Sequence, residues 1–552
     1  MKKKLFSIVS TLLAFCMVLT LAACGGSTDE TSDASTPAVS TQQQSTAVGE
    51  NAGPALPIVK DKLTLKFLCY NWGDAVYGND MPVFQELEKR TNIHLEWELL
   101  PAEDNLTKLN LIMVSGDLPD LISFSDPDNS KKTFDKYSAQ GALAPLDDLI
   151  DKFAPNIKSV LDNPPYEVPY LKAELKGPDG KLYSLPNMTQ IHTGEVFGIR
   201  QDWLDKVGMK VPETTDDLYN VLKAFKDQKV DGKGEVVGFC PDNAGKTLQD
   251  LTILMNAFGS HESFYVDKKD NTVKFGPMET NYKDGLAYCN KLYSEGLIDK
   301  NYINNNTDTF RAKASNNQIA LFYAWPMSGL GFCNTAVAKV DPNAKYVAML
   351  PLKGPNGDRF KERPQPVMTP RTVITTANKH QEETIKYLDY IFSEEGNLLM
   401  NYGIEGKDYT LDSSGNPKFT DYVLKNPDGK DPATVRITEG MQVGMPFVAT
   451  LDCEVQAATD EAVKEAWNLY TENDVLYPNF PNLPLDEAQI GEISGQITDI
   501  RTFVDETSNK FIMGNEPLTN FDKFTETIKS MGIDDILQIY NEAYKKYLEF
   551  DK

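Results

Sequence analysis

Between residues 62 and 124 the chain switches repeatedly between two-residue and helical hydrophobic periods, and this alternation restricts the fold more than any other stretch. Leu63, Leu65, Phe67 and Cys69 alternate as a strand, which ends in Asn71-Trp72-Gly73-Asp74. A helix is predicted over 82–90, a strand over 94–99, a second helix over 105–114 stopped by Gly116, and a third strand over 120–124. The order β-α-β-α-β implies an open parallel sheet with helices on its faces, because parallel neighbours need a long crossover between them. In such sheets ligands bind outside the carboxyl ends of the strands. Asn71 and Trp72 after the first strand, and Ser125 and Asp126 after the third, are therefore candidate ligand contacts.

A second α/β pattern follows. The turn at Asp179-Gly180 leads into an extended segment that reads as a crossing between lobes. A strand is predicted over 196–200, with a helix from Asp202 stopped at Gly208, in which Trp203 reads as core. Thr214, Thr215 and the following acids suit the start of another helix. Helices near 246–258, 283–295 and 381–393, a hairpin across 263–275 and an extended segment over 370–374 complete this part. A strand over 319–323 ends in Ala324-Trp325. Beyond the Pro- and Asn-rich stretch 477–482, read as a packed loop, Ile493, Ile497, Ile500, Val504 and later Ile533, Ile536, Tyr540 and Tyr544 have the spacing of long amphipathic helices.

Lys2, Lys3 and Lys4 precede an apolar run that ends at Leu21-Ala22-Ala23-Cys24, the layout of a secretory signal and too short for a comfortable membrane span. From Ser27 to about Pro57 the chain is rich in Ser, Thr, Gln, Ala and Gly, which buries too little apolar surface to offset ordering and reads as a flexible tether. Without the leader lysines, 52 basic residues face 80 acidic ones, a net charge of −28. So acidic a surface repels nucleic acid and anionic headgroups and leaves neutral or cationic ligands. Cys69, Cys240, Cys289, Cys333 and Cys453 are scattered and include no CxxC pair, which argues for mostly buried free thiols, one bridge remaining compatible.

Catalytic patterns fail on their spacing. Gly245-Lys246-Thr247 ends like a P-loop, but Cys240 stands where that motif needs glycine. In Gly491-Glu492-Ile493-Ser494-Gly495 the serine is one place too late for a nucleophile elbow. His94, His192, His261 and His380 are far apart and make no metal motif. Close pairs among 80 acids are a matter of chance, so paired carboxylates are no signal for glycoside hydrolysis. No catalytic residue, cofactor or metal is expected.

Leu21-Ala22-Ala23-Cys24 resembles the lipobox of bacterial lipoproteins, which implies lipidation of Cys24, cleavage before it, and a chain held on the outer face of the cytoplasmic membrane by the lipid alone. Gly116-Asp117-Leu118-Pro119-Asp120, Ile199-Arg200-Gln201-Asp202-Trp203-Leu204-Asp205, Leu292-Tyr293-Ser294-Glu295-Gly296-Leu297-Ile298-Asp299 and Phe511-Ile512-Met513-Gly514-Asn515-Glu516-Pro517-Leu518 resemble the family 1 extracellular solute-binding proteins, in particular the large lipoproteins beside Gram-positive carbohydrate importers. The resemblance implies an α/β, type II periplasmic-binding fold: two lobes, a hinge, and a ligand cleft between them. It divides the chain into a signal peptide (1–23), a tether (24–58), a first lobe (59–189 and 363–404) and a second lobe with the C-terminal helices (190–362 and 405–552).

The implied function is a non-enzymatic, monomeric receptor that captures an oligosaccharide or related polar solute and delivers it to the permease subunits of an ABC importer. A peptide or other solute receptor on the same fold is the alternative, and a lipid-anchored glycoside hydrolase a more distant one. Sugars present apolar C–H faces and a rim of hydroxyls, so aromatic platforms with planar polar partners suit them. Trp72 and Trp325 are the candidate platforms, with Tyr323 beside Trp325, and Trp325 resembles the stacking tryptophan of the family's second lobe. The family often places a hydroxyl partner where Ser125 and Asp126 stand, though Asp126 equally suits a helix cap. Arg200 and Arg371, near the presumed crossings, could fork onto hydroxyls, and Arg200 could instead pair with Asp202. Some relatives carry a calcium loop where this chain has residues 227–235. Lys229 and Val230 occupy ligand positions there and leave only Asp227, Asp231 and Glu235, so a plain surface loop is expected.

Overall fold

In a computed structural model the chain is described over residues 54–71, 77–101, 104–126, 129–165, 168, 170–189, 193–242, 248–362 and 367–550. The signal segment, Cys24 and Trp72 lie outside the described residues. Strands β1 (Leu63–Cys69), β2 (Ile93–Leu99), β3 (Leu121–Phe124) and β4 (Ser184–Thr189) share one direction. The chain then builds a second sheet from β5 (Val196–Arg200), β6 (Val237–Pro241), β7 (Ile319–Ala324) and β8 (Tyr346–Met349). It returns to the first sheet with β9 (Val367–Ile374) and β10 (Val448–Ala449).

Among the described residues the first sheet has six strands in the order β10-β4-β9-β3-β1-β2, with β9 antiparallel in its middle, and the second has four in the order β8-β5-β7-β6. The central strands of each sheet are buried on both faces, whereas the start of β1 and the edge strand β2 alternate buried and more exposed residues, as their period-two pattern implies. Leu65, Phe67 and Cys69 point into one core with the helices Pro82–Thr91 and Gln381–Phe392, while Leu68 points into another with Leu109, Phe134 and Tyr137. In the second sheet Phe197, Ile199, Leu321 and Tyr323 share one core, and Val196, Phe322, Ala324 and Tyr346 the other. Trp203 is fully buried in the former, as its reading as core anticipates. Each large apolar side chain so buried contributes roughly 1.5–3 kcal/mol.

Local chemistry sets the element ends. Gly116 adopts the left-handed conformation that closes the helix Asn105–Ser115. Thr214 accepts from the Asp217 amide while the Asp217 carboxylate accepts from the Thr214 amide, a capping box that starts the helix Thr215–Asp227. The expected hairpin is present as Phe264–Asp267 paired with Thr272–Phe275. The C-terminal pattern gives the helices Glu487–Met513, Phe521–Ser530 and Ile533–Phe550. Among the described residues no helix is long and apolar enough to cross a membrane, and Cys69, Cys240, Cys289, Cys333 and Cys453 are all free and buried.

The lobe division differs from the sequence expectation at one boundary. The segment after 404 was expected in the second lobe, yet Tyr409, Phe419, Val435, Met441 and Phe447 belong to the core of Leu65 and Phe67. The cause is the open edge of β4, whose unpaired backbone groups need partners. Strand β10 supplies them, pairing Val448 with Met188, and the Met188 amide donates to the Phe447 carbonyl at 2.9 Å. The chain leaves the first lobe only after the helix Leu451–Ala457, whose Cys453 and Ala457 still lie in that core, while Ala462 and Tyr470 of Glu461–Glu472 pack under the second sheet. The segment expected to cross near Pro186 is itself β4, so the crossing follows Thr189.

Candidate functional site

A cavity of about 230 Å³ opens at the carboxyl ends of β6 and β7. Its position follows from strand direction: β6 and β7 run parallel, so Asp242, just after Pro241, and Trp325, just after Ala324, emerge at the same edge. The antiparallel β5 brings its start to that edge and places Glu195 there, pairing Val196 with Ala324. The helix Thr307–Ser315 contributes Thr307 and Arg311, which are four positions apart and so share one face. Asp250 and Ser328 complete the polar lining.

Two aromatic residues divide the site between depth and mouth. Tyr323 is 9% exposed, and its ring packs 5.2 Å from that of Phe197, the residue opposite it in the β5–β7 register. Trp325 is 45% exposed, although most large apolar side chains of this chain are buried. The local backbone keeps it there. Pro326 opens a wide helical turn in which the Gly329 amide donates back to the Trp325 carbonyl at 2.8 Å. A Cβ on Gly329 would meet the Ala324 methyl at 2.3 Å, so the turn closes this tightly only with glycine. On the other face, a Cβ on Gly198 would lie 2.2 Å from the Phe322 ring, so glycine there is what lets β7 pair with β5 in this register.

Electrostatically the cavity is acidic. Burial pushes the Asp242 carboxyl up to about 6, a shift that Arg311 opposes and the negative charge of Glu195 reinforces. Burial, reinforced by Glu195, also raises the Tyr323 phenol well above its usual range. Behind the cavity, the buried Lys361 ammonium donates to the main-chain oxygens of Thr193 and Glu195 and lies 5.4 Å from the Tyr323 ring centre. Its desolvation lowers its pKa to about 8. A carboxylate-rich lining with an aromatic mouth suits a ligand that brings hydroxyl donors and an apolar face.

The other predicted residues are distributed differently. Asn71 is half-buried just after β1, and Ser125 and Asp126 follow β3 at the same edge of the first sheet. Asp126 accepts from the Asn129 amide at 3.1 Å and from the Asn129 side chain at 2.9 Å, Asn129 being the residue that precedes the helix Ser130–Ala139. Arg200 ends β5 at the edge opposite Trp325, because β5 runs against β7. It is fully buried, forks onto Asp202 with two 2.8 Å bonds and stacks 4.1 Å from the centre of the Trp203 ring, which removes it from any ligand. Arg371 is likewise internal, donating to the Glu174 carbonyl at 2.6 Å and facing the Glu174 carboxylate at 3.3 Å. Glu195, Asp242, Asp250 and Arg311 were missed. The rule that selected Asn71 would have found Asp242, but no strand was predicted over 237–241, since Val-Gly-Phe-Cys-Pro is short and carries two strand-weakening residues.

In the loop 227–235, Asp231 accepts from the amides of Lys233, Gly234 and Glu235 at 2.7–3.2 Å, and Asp227 pairs with Lys223 at 3.1 Å. Among the described residues no group of three or more His, Cys, Asp or Glu side chains is arranged to hold a metal ion.

Comparison with known proteins agrees with this architecture. The fructooligosaccharide ABC transporter substrate-binding protein FusA of Streptococcus pneumoniae is 28% identical over 99% of both chains, and its kestose complex superposes with a TM-score of 0.70 over 88% of this chain and 99% of that one. The polygalacturonan/rhamnogalacturonan-binding protein YtcQ of Bacillus subtilis is 26% identical over 90% of this chain and 93% of its own. The calcium-free structure of the alginate-binding protein AlgQ2 is 29% identical, with a TM-score of 0.72 over 88% of this chain and 99% of that one. These structures share the two-lobed periplasmic-binding fold read here from the sheets. With residues 77–398 matching the family model for bacterial extracellular solute-binding proteins, the chain belongs to that family, whose members bind solutes and do not transform them.

Proposed function

We propose that the chain is the ligand-capturing subunit of an ABC importer for an oligosaccharide, anchored outside the cytoplasmic membrane through lipid on Cys24 and acting as a monomer that hands its ligand to permease subunits. The observation that carries this reading is Trp325, an exposed indole at the mouth of a cavity otherwise lined by hydroxyls, carboxylates and one guanidinium. Such an indole offers a flat apolar face to a pyranose or furanose ring while the polar groups take its hydroxyls. The names of FusA, YtcQ and AlgQ2, which refer to fructooligosaccharide, to polygalacturonan and rhamnogalacturonan, and to alginate, support the ligand class. At about 230 Å³ the cavity is smaller than the ~300–1,000 Å³ of drug-sized sites, so it forms one subsite of a longer ligand.

Tyr323 and Trp325 form the second-lobe face, and Asn71, Ser125 and Asp126, with Trp72, are assigned to the face opposite. A ligand touching both faces is held fully only when the lobes close, so binding shifts the population toward the closed form that a permease would read. The test combines calorimetry and thermal unfolding across a panel of oligosaccharides. Binding with stabilisation and no shortened products is expected, and Trp325→Ala should weaken it about 10–30-fold, the loss of roughly 1.5–2 kcal/mol of stacking and burial. Hydrolysis of the sugars, or unchanged affinity in Trp325→Ala, would refute the reading. For the anchor, Cys24→Ser should move the protein from the membrane fraction to the medium.

A further inference from the structure

The charge of the second-lobe cavity bears on which oligosaccharides it admits, an inference that rests on the oligosaccharide reading above. Among the described lining residues, Glu195, Asp242 and Asp250 put three carboxylates in the wall and Arg311 one guanidinium. Arg311 already acts as the counter-charge of Asp242, while Glu195 adds to the negative field there. Tyr323 lines the same cavity, and so does Asp242, whose Oδ1 is buried with no hydrogen-bond partner among the described residues. A buried polar atom without a partner is costly, so this oxygen marks a place where a guest's hydrogen-bond donor belongs.

A carboxylate only accepts hydrogen bonds, so the Asp242 oxygen needs a donor from the guest. Sugar hydroxyls supply such donors. A uronate carboxylate supplies none, and it would add a further negative charge to a partly desolvated acidic wall, where like charges repel far more than in bulk water. The net charge of −25 on the whole chain acts in the same direction during approach. We propose that the site selects uncharged oligosaccharides and rejects uronate-containing ones, with Glu195 and Asp242 as the residues that set this preference.

Calorimetric titration of the full-length chain with oligogalacturonates, with their methyl esters and with kestose separates charge from shape. At least one uncharged sugar should bind, with every uronate weaker than it by about tenfold or more. The double variant Glu195→Gln and Asp242→Asn should narrow that gap, and the single variants serve if the double variant does not fold. A uronate that binds as tightly as the best uncharged sugar overturns the charge selection and leaves the oligosaccharide reading standing. A gap that none of the folded variants narrows overturns the assignment to Glu195 and Asp242. Silence from every sugar overturns the oligosaccharide reading itself and the selection with it.

Discussion

The ammonium of Lys361 donates to the main-chain oxygen of Glu195, so the segment by which the chain returns to the first lobe is tied to the segment by which it entered the second. The same ammonium donates to the Thr193 carbonyl, and the strand pair Lys361–Glu362 with Leu476–Tyr477 adds a further segment to this junction. Glu195 is also a wall of the cavity, so the tie lies directly behind the candidate site.

Lys361→Met should therefore cost about 1–3 kcal/mol at pH 7, because it leaves two buried carbonyls without a donor. The folded-state pKa of about 8 lies below the usual lysine value near 10.4. Between those values the unfolded chain binds more protons than the folded one, so the lysine's contribution to stability rises with pH across that window and is lost as pH falls through 8. Urea unfolding at pH 7 and pH 10 should show the wild type gaining on Lys361→Met at the higher pH. An equal difference at both values would contradict a desolvated ammonium.

Arg200→Ala should lower stability by about 3–5 kcal/mol, since Asp202 loses both bonds of its fork inside the fold. Ligand affinity of the folded fraction should stay within about twofold, because Arg200 lies at the far end of the sheet from Trp325. Denaturant melts paired with calorimetry check both halves. A large affinity loss with intact folding would place Arg200 in the ligand site.

Glu174 joins the lobes to the C-terminal helix. Its carboxylate faces Arg371 and accepts from the Tyr547 hydroxyl at 2.8 Å and from the Asn482 side chain at 2.8 Å. Glu174→Ala should destabilise by about 3–5 kcal/mol, leaving a buried guanidinium without its carboxylate. Tyr547→Phe, which removes one hydrogen bond to the charged group, should cost about 1.5–3 kcal/mol. Chemical denaturation of the two single variants and of the double variant should show less than additive losses, the sign of a shared network.

Millimolar calcium, or a chelator, should move the thermal midpoint by no more than about 1 °C, since a ligand stabilises only in proportion to its occupancy. Lys229 and Val230 offer no oxygen-bearing side chain in the loop 227–235, and Asp227 is paired with Lys223. A clear, saturable rise in midpoint with calcium would show that this loop holds the ion after all.

The sequence by itself determined the elements and much of what they bury. Period-two alternation set β1, a short apolar run set β3, Gly116 and Thr214 set helix ends, and the scattered cysteines became five buried thiols. It also singled out Trp325, because the stretch Ile319–Ala324 is a clear apolar strand and the residue after it must emerge at an edge. Tertiary structure alone decided which edge each strand end reaches. Arg200 and Trp325 both follow strands, yet β5 runs against β7, so the two residues are a sheet's length apart. Likewise the open edge of β4 drew residues 448–449 back into the first lobe, and the meeting of β6, β7 and the helix Thr307–Ser315 gathered Asp242, Trp325 and Arg311 around one cavity. The physical reason is common to all three: strand direction and edge pairing are settled by backbone hydrogen bonds between segments far apart in the chain, which a local hydrophobic pattern does not encode.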